Sequence, residues 1–492
     1  MLQTGVPNLD LVLGGGLSER DVLLLAGPPG AGKTTLCLQI AFQAAAEERN
    51  VLYVSTPSEP PNRLLEHARS FSFCDEVLIG RRLFTVNIYP LAKQSLEKVA
   101  DGLIQAAGER EASLVILDGL MTVGYLHPDA REVRAFLSEL GATFSAQGRT
   151  TIITSSREQV TRERAVPEAT MVDAILELGM EEFGTQAIRT VQVRKARGLA
   201  PLLGQHSLRI DKRGLAVSPR LEALAVPSTS SLNTEKMPLG LPELDAMMEG
   251  GLPAGSVTLL AGALGTGKTL TCLHFLAEGA RRGEPGLLVG FRENPELLIA
   301  KAQSFGLDLR AAVDSGLMHI SYRLPIDLVF DDLMGEVWQQ VEHHAPRRLV
   351  IDSITDLQEG IVEGRHQRGL MSALSALLRA KNVTSIITKE IAQVVGPELD
   401  FSDTPLAVLA ENLLLLRYVE FHGDLYRILS IIKMRDSRHD HSIRQYVIDQ
   451  QGLNVLGKME TAEGVLTGIA RLPGEARVKR REGNPRRGDA EQ

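Results

Sequence analysis

The sequence has few cysteines, few aromatic residues and no long uninterrupted run of apolar residues. Its 492 residues include three cysteines, one tryptophan and 4% aromatic residues. The cysteines form neither a disulfide framework nor a metal-ligand spacing, which excludes disulfide-stapled and zinc-bound classes of protein. Because no stretch has membrane-spanning length or a signal-peptide pattern, we expect a cytoplasmic protein without membrane contact.

Charge and composition restrict the partners that this chain is expected to have. The formal net charge is −8, with 44% hydrophobic and 23% charged residues, which is typical of a globular protein. Proteins that bind nucleic acids usually have a basic face and stack bases on aromatic side chains. The acidic balance and the scarcity of aromatic residues therefore make a nucleic-acid partner unexpected.

The phosphate-binding pattern G-x-x-x-x-G-K-[ST] occurs twice, at residues 27–34 and 262–269. Each copy follows a short apolar run, Val22–Ala26 or Val257–Ala261, which predicts a strand–loop–helix unit. Such a loop directs backbone N–H groups at an anion, and the helix adds its positive end. The residues predicted to bind ATP are Gly27, Gly30, Gly32, Lys33, Thr34 and Thr35, and then Gly262, Gly265, Gly267, Lys268, Thr269 and Leu270.

Each half also offers the groups that a magnesium-dependent nucleotide site requires. The P-loop lysine is predicted to reach the β- and γ-phosphates, and the P-loop threonine to place a hydroxyl on Mg²⁺. An aspartate that ends an apolar run is expected to hold the Mg²⁺ shell through water. The residues in these roles are Lys33, Thr34 and Asp118 in the first half, and Lys268, Thr269 and Asp352 in the second.

Hydrolysis also needs a group that orients and deprotonates the attacking water. Glu59 and Glu293 lie at the same distance before Phe71 and Phe305, so they occupy equivalent positions in the two halves. We predict that both are catalytic carboxylates, and the alternative is an ordinary charge in a loop.

The similarity between the halves extends over nearly the whole chain. The P-loop lysines are 235 residues apart and the strand-end aspartates 234 residues apart. A near-constant offset indicates a duplicated domain. We predict a first domain at 1–222, a linker at 223–236, a second domain at 237–456 and a largely disordered, basic tail at 457–492.

Within the first half, short β-branched runs alternate with stretches of helical spacing. The runs Val51–Ser55, Leu114–Leu117 and Thr150–Thr154 suit buried parallel strands, and Leu96–Ala107 and Ala135–Gln147 suit helices. This alternation predicts an α/β domain in which helices flank a mostly parallel sheet.

A pair of cations with K-x-R spacing lies near the end of an apolar strand in each half. The pairs are Lys195 with Arg197 and Lys433 with Arg435, and strand alternation puts both charges of a pair on one face. They are either a solvated strand face or cations that contact the nucleotide of a neighbouring subunit. In the second case, the oligomer is the active unit.

Three segments carry a resemblance to a known family, namely Leu415–Glu420, Lys433–Asp440 and Glu463–Gly468. With the P-loops, they make the chain resemble the KaiC family, tandem RecA-like ATPases named for the cyanobacterial clock protein. The resemblance runs from Thr4 to about Arg471 and implies two RecA-like P-loop domains, a two-tiered homohexamer with ATP at subunit interfaces, and slow hydrolysis. It also implies that Ser437 and His439 join the contacts made in trans.

The chain departs from the family pattern at several sites. The first of two adjacent glutamates becomes Ser58 in one half and Arg292 in the other, and Arg292 could pair with Glu293 and lower its basicity. Leu199-Ala200-Pro201 stands where the second half has Ser437 and His439, which predicts a poorer trans contact in the first ring.

The family's phosphorylated Ser–Thr pair falls on Ala407 and Val408, which have no hydroxyl group. Clock-type autophosphorylation, which the resemblance otherwise implies, is therefore impossible at these positions, and Ser402 and Thr404 are the nearest substitutes. Together, the residues and the resemblance predict a slowly hydrolysing, Mg²⁺-dependent regulatory ATPase in signalling. A kinase or response regulator as partner is implied by the resemblance alone. The alternatives are an ATP-stabilised scaffold with little turnover and a DNA-dependent recombinase relative.

Overall fold

The computed structural model describes most of the chain as two compact units, Met1–Leu224 and the remainder from Ala225 onward. The described residues are 1–55, 60–87, 95–119, 130–155, 172–183, 186–224, 234–324, 330–355, 364–391, 410–421, 423–435 and 437–458. Glu59, the substituted phosphosites Ala407 and Val408, nearby Ser402 and Thr404, most of the predicted linker and nearly all of the predicted tail lie outside them.

The described residues of the first unit form one sheet of nine strands. The strands are β1 Val22–Ala26, β2 Val51–Ser55, β3 Leu83–Asn87, β4 Leu114–Leu117, β5 Thr150–Ser155, β6 Ala174–Phe183, β7 Gln186–Ala196, β8 His206–Asp211 and β9 Gly214–Ser218. The α-helices are Leu9–Leu13, Lys33–Ala46, Pro61–Ala68, Leu96–Glu109, Ala130–Ala146 and Leu221–Leu224, with a 3₁₀ turn at Glu76–Leu78.

The second unit contains a small two-stranded sheet and a large one of nine strands. The small sheet pairs β10 Lys236–Met237 with β11 Leu252–Pro253, and the large sheet holds β12 Val257–Gly262, β13 Gly286–Gly290, β14 Met318–Tyr322, β15 Arg348–Asp352, β16 Thr384–Glu390, β17 Asn412–Phe421, β18 Asp424–Met434, β19 Arg444–Asp449 and β20 Gly452–Lys458. The helices are Pro242–Met247, Lys268–Arg281, Pro295–Ser304, Arg310–Asp314, Phe330–His344 and Gly364–Ala380. None of the described helices has the length and apolarity needed to cross a membrane.

The two large sheets have the same topology. Their strand orders are β3-β2-β4-β5-β1-β6-β7-β8-β9 and β14-β13-β15-β16-β12-β17-β18-β19-β20. In each sheet, six neighbouring strands are parallel and the last three are added antiparallel. The predicted fold class, two tandem RecA-like α/β domains, is confirmed, and the second sheet repeats the pairing of the first.

The central strands form because their residues are almost uniformly apolar. Every residue of β1, β2 and β4 is buried, as expected for parallel strands that helices cover on both faces. These three strands begin and end at the predicted residues, and β5 is one residue longer than predicted. The carboxyl ends of these parallel strands meet at one edge of the sheet, where the P-loop begins.

Candidate functional site

Each P-loop contains a glycine that caps the following helix in a left-handed conformation. Gly32 has φ of 104° and Gly267 has φ of 92°, a region that residues with a Cβ rarely adopt. A Cβ at these glycines would lie 2.7 Å from Cδ1 of Ile210 and 2.8 Å from Cδ1 of Ile448, respectively. The left-handed turn therefore favours glycine at both positions, and a Cβ there would also displace the tip of the isoleucine side chain packed against it.

The P-loop lysines contact their own loops in the same way in both repeats. Nζ of Lys33 donates hydrogen bonds to the carbonyl oxygens of Gly27 and Pro28, at 2.8 and 2.9 Å. Nζ of Lys268 donates to those of Gly262 and Ala263, both at 2.9 Å. Each ammonium group is thus held within the loop predicted to bind phosphate.

Burial changes the ionisation of these lysines. It lowers the pKa of Lys268 below that of a free lysine, although the carboxylates of Glu390 and Asp352 act in the opposite direction. Burial likewise lowers the pKa of Lys33, with Asp118 opposing the shift. The predicted strand-end aspartates therefore lie close enough to the lysines to influence their charge.

In the second repeat, the strand-end aspartate lies directly beside the P-loop threonine. Oγ1 of Thr269 donates a 2.7 Å hydrogen bond to Oδ2 of Asp352, and Thr388 donates to Oδ1 at 2.5 Å. A hydroxyl and a carboxylate are oxygen donors of the kind that Mg²⁺ prefers. Thr269 and Asp352 therefore fit the metal-holding roles that the sequence suggests for them.

In the first repeat, Asp118 has a different set of neighbours. Its Oδ2 accepts a hydrogen bond from the hydroxyl of Tyr53, and its Oδ1 accepts one from Thr154, both at 2.8 Å. Thr154 and Thr388 both donate to Oδ1 of the aspartate in their own repeat. The second repeat, however, has Leu288 at the position of Tyr53. The aspartates occupy the same place but are held differently.

A cavity of 340 Å³ opens beside the second P-loop. Its lining includes three cations and three carboxylates, two of which (Lys268 and Lys301) lie on helices and the others on loops or strand ends. These residues are Lys268, Arg292, Lys301, Asp352, Glu293 and Glu390. Leu270, which follows the P-loop threonine, also lines the cavity, whereas its counterpart Thr35 is buried and lies 3.1 Å from Nε2 of His67.

Ion pairs in this cavity differ from the pairing suggested by the sequence. Nη1 of Arg292 lies 2.8 Å from Oε2 of Glu390, and Nζ of Lys301 lies 2.8 Å from Oε1 of Glu293. The suggestion that Arg292 pairs with Glu293 is therefore wrong, because the two adjacent side chains reach different partners. Oε2 of Glu293 is buried and has no hydrogen-bond partner within the described part of the chain.

The K-x-R cations lie at the opposite edge of the sheet from their own P-loop. Nζ of Lys433 donates to the carbonyl oxygen of Ala410 at 2.6 Å. The next residue, Glu411, donates its backbone N–H to the carbonyl oxygen of Val257, the first residue of β12. Lys195 makes the equivalent bond to Val172. Because a five-residue strand is about 16 Å long, these cations are remote from their own nucleotide loop.

The remaining residues predicted to act in trans lie at the same edge. Arg197 forms an ion pair with Asp173 at 3.3 Å, and the backbone N–H of Arg435 bonds to the carbonyl oxygen of Glu411. Lys236 donates to the hydroxyl of Ser437. Nε2 of His439 is buried without a hydrogen-bond partner among the described residues, and its ring contacts that of His441.

Several residues that shape the site were missed in the sequence. Tyr418 and Tyr446 donate hydrogen bonds to the carbonyl oxygens of Gly265 and Thr266, at 2.8 and 2.5 Å, and so brace the second P-loop. In the first repeat, Arg189 donates to Gly30 at 3.1 Å instead. No local signal marks the tyrosines, since they come from strands far along the chain.

Thr154 and Thr388 were also missed, although the sequence contained a signal. Both follow an Ile-Ile pair, and they are separated by the same 234 residues as Asp118 and Asp352. A threonine that recurs in register after an Ile-Ile pair in two buried strands indicates a shared contact. The structure supplies that contact, the strand-end aspartate.

Comparison with known proteins identifies the same duplicated architecture. A family model described as "ATPase: KaiC" matches residues 2–222 and 237–460. The chain is 26% identical to the "Circadian clock oscillator protein KaiC" of a Picosynechococcus species, over 95% of this chain and 92% of that protein. It is 27% identical to the "Circadian clock protein KaiC3" of a Synechocystis species, over 98% and 97% of the two chains.

Proposed function

The chain belongs to the KaiC family of ATPases, and from this we propose that it binds Mg²⁺-ATP at both P-loops and hydrolyses it slowly as a ring-shaped regulatory oligomer. The observation that carries the proposal is the cavity beside the second P-loop, which brings Lys268, Thr269, Asp352 and Glu293 together. These four residues have the chemical groups that phosphate binding, metal binding and water activation require.

Each group has a distinct role in this proposal. Lys268 binds the β- and γ-phosphates, Thr269 and Asp352 hold the metal shell, and Glu293 orients and deprotonates water. Mg²⁺, once bound, neutralises charge on the phosphates. Lys33, Thr34, Asp118 and Glu59 have the corresponding roles in the first repeat.

The oligomer supplies the groups that one subunit cannot provide for itself. Lys433 and Arg435 lie at the edge opposite to their own P-loop, where they can meet the nucleotide of a neighbouring subunit. Lys195 and Arg197 are equivalent in the first repeat. This arrangement supports a two-tiered homohexamer with nucleotide at the subunit interfaces. We propose that a kinase or response regulator reads the nucleotide state, without clock-type autophosphorylation at Ala407 and Val408.

Steady-state hydrolysis of ATP by the full-length protein with Mg²⁺ tests the proposed activity. In a Lys33→Ala background, which isolates the second site, Glu293→Gln should lower the turnover by about a hundredfold or more. Glu296→Gln is the matched control, because this nearby glutamate is 74% exposed, pairs with Arg310 and is not part of the cavity lining. Its turnover should equal that of the parent.

A mixing experiment tests the action in trans. Chains with Lys268→Ala and chains with Lys433→Ala, both in the Lys33→Ala background, should each be inactive as homo-oligomers. When the two are co-assembled at random, about one quarter of the interfaces combines an intact Lys268 with an intact Lys433. Recovery of turnover supports the shared site, and co-assembled rings without recovery would count against it.

An ATP-stabilised scaffold is the second candidate, and one observation favours it. Arg292 stands at the position where the family has the first of two glutamates, and it lies in the cavity. If the protein binds ATP with an affinity that depends on Lys268, but releases no phosphate above background, then ATP holds the oligomer together without turnover.

A further inference from the structure

Arg292 and Glu390 form an ion pair that crosses the carboxyl edge of the second sheet. Arg292 follows the end of β13 by two residues, and Glu390 is the last residue of β16. The strand between them is β15, which ends at Asp352. Because neighbouring strands are about 4.8 Å apart, the pair spans about 10 Å, above the aspartate that is proposed to hold the metal.

The pair also lies beside the P-loop lysine. Glu390 is in register with Gly262, whose carbonyl oxygen accepts a hydrogen bond from Nζ of Lys268. Among the charged groups that act on Lys268, Glu390 has the largest effect, and Arg292 opposes it. A phosphate group that binds to Lys268 therefore comes close to both members of the pair.

We propose that this pair detects the γ-phosphate of ATP at the second site and makes that site discriminate between ATP and ADP. The inference rests on the proposed binding of nucleotide at the second P-loop. The γ-phosphate competes with Glu390 for Arg292, whose planar guanidinium group suits phosphate oxygens as well as it suits a carboxylate. ADP lacks this group, so Arg292 stays with Glu390.

The pair is suited to exchange because little energy holds it together. The side chain of Arg292 is 51% exposed and that of Glu390 is 19% exposed. Ion pairs between exposed side chains typically contribute about 0–1 kcal/mol to stability, and Arg292 is the exposed member of this pair. A doubly charged phosphate in a cavity that already holds Lys268 can therefore displace the carboxylate without loss of structure.

In the sequence of the first repeat, both positions of the pair hold uncharged residues, which makes the second site chemically distinct. Ser58 stands at the position of Arg292. Thr154 and Thr388 occupy equivalent positions, because each donates a hydrogen bond to the strand-end aspartate of its repeat. Two residues further on, Ser156 is therefore the counterpart of Glu390. Neither serine has a charge, so the first site cannot use this form of discrimination.

Binding measurements on the full chain test the inference. In the Lys33→Ala background, the affinities for ATP and ADP are measured by displacement of a fluorescent nucleotide in the presence of Mg²⁺. Arg292→Gln should weaken ATP binding by about tenfold to a hundredfold, since it removes charge-assisted hydrogen bonds. ADP affinity should be unchanged. The ATP affinity of Arg292→Lys should lie between that of the parent and that of Arg292→Gln, because lysine keeps the charge and loses the planar fork.

Glu390→Gln removes a competitor for Arg292 and should strengthen ATP binding by more than it strengthens ADP binding. The matched control is Arg323→Gln. Arg323 also follows a strand of this sheet, is 50% exposed and pairs with Glu336, but it is not part of the cavity lining. This variant should bind both nucleotides as the parent does.

Three outcomes overturn the inference, and they are distinguishable. Equal weakening of ATP and ADP in Arg292→Gln, or no weakening of either, shows that the pair does not detect the γ-phosphate, while the proposed function stands. If the parent Lys33→Ala chain binds no nucleotide, both the inference and the proposed second site fail. Unchanged thermal unfolding of the variants, with Arg292→Lys as the conservative case, excludes misfolding as the cause.

Discussion

The hydroxyl of Tyr53 donates a 2.8 Å hydrogen bond to the carboxylate of Asp118, the aspartate predicted to hold the first metal. In the second repeat, Leu288 occupies the position of Tyr53, and Asp352 accepts a hydrogen bond from the P-loop residue Thr269. Two sites with the same strand order thus present carboxylates with different hydrogen-bond donors. Their affinities for a metal–nucleotide complex should differ accordingly.

Replacing Tyr53 by Phe tests this difference. The change removes a donor from Asp118 and should cost about 1.5–3 kcal/mol of stability, because the acceptor is charged. The carboxylate then has more to gain from the metal shell. We therefore expect Mg²⁺-ATP to raise the unfolding temperature of Tyr53→Phe by more than that of the parent.

The control for this experiment is ATP with EDTA in place of Mg²⁺, for which the extra thermal shift should disappear. Tyr53→Leu introduces the residue of the second repeat, and its thermal shift with ATP should depend on Mg²⁺ in the same way. This variant should also lose stability because the smaller side chain leaves a cavity. A thermal shift equal to that of the parent would mean that Tyr53 has no influence on the metal.

Arg348 is a buried cation in the second unit. It is fully buried, its Nε lies 2.6 Å from Glu284, and Nη1 donates to the carbonyl oxygens of Pro238 and Phe275. Removing one partner of a buried pair leaves an uncompensated charge, so Arg348→Leu should cost about 3–5 kcal/mol in urea unfolding. Leucine is the residue that the first repeat has at this position, Leu114.

Two further variants check the origin of this loss. Glu284→Gln added to Arg348→Leu should recover part of the stability, since it removes the unpaired carboxylate. A Cβ at Gly279 would lie 2.4 Å from Cδ of Arg348, so Gly279→Ala should destabilise the parent. The same change should be tolerated in the Arg348→Leu chain. Equal costs in both backgrounds would rule out this steric contact.

Arg348 also shows where the sequence is a poor guide. An arginine at the start of a strand resembles a surface residue, and its burial depends on Glu284 and Pro238, which lie far away along the chain. By contrast, the strands and P-loops were predictable because apolar runs and glycine spacing are local patterns. The duplication was predictable because two local patterns recur at one offset.

The charged partners in the site could not be predicted for the same reason. The sequence places Arg292 next to Glu293, but Arg292 reaches Glu390 and Glu293 reaches Lys301. Pairing of this kind depends on strand order, which brings the ends of β13, β15 and β16 together. The contact of Thr154 with Asp118, which Thr388 repeats with Asp352, is one that the constant offset could have indicated.

The buried ammonium of Lys268 predicts a pH dependence of nucleotide binding. Burial lowers its pKa below the ordinary value of 10.5 in the free protein. Bound phosphate favours the charged form and raises the pKa. ATP affinity is therefore fully present below the free-state pKa and decreases as the pH rises through it. In that range, binding takes up a proton.

Titration calorimetry in two buffers of different ionisation heat measures this proton directly, in the Lys33→Ala background. Uptake should grow toward one proton as the pH rises from neutrality through the free-state pKa, and it should fall again near the pKa of the bound state. Lys268→Arg is the control, because a guanidinium stays charged throughout this range and should take up none. Burial raises the pKa of the nearby Cys272 thiol, so that group stays neutral and contributes no proton. Uptake that persists unchanged in Lys268→Arg would assign the proton to another group and contradict the prediction.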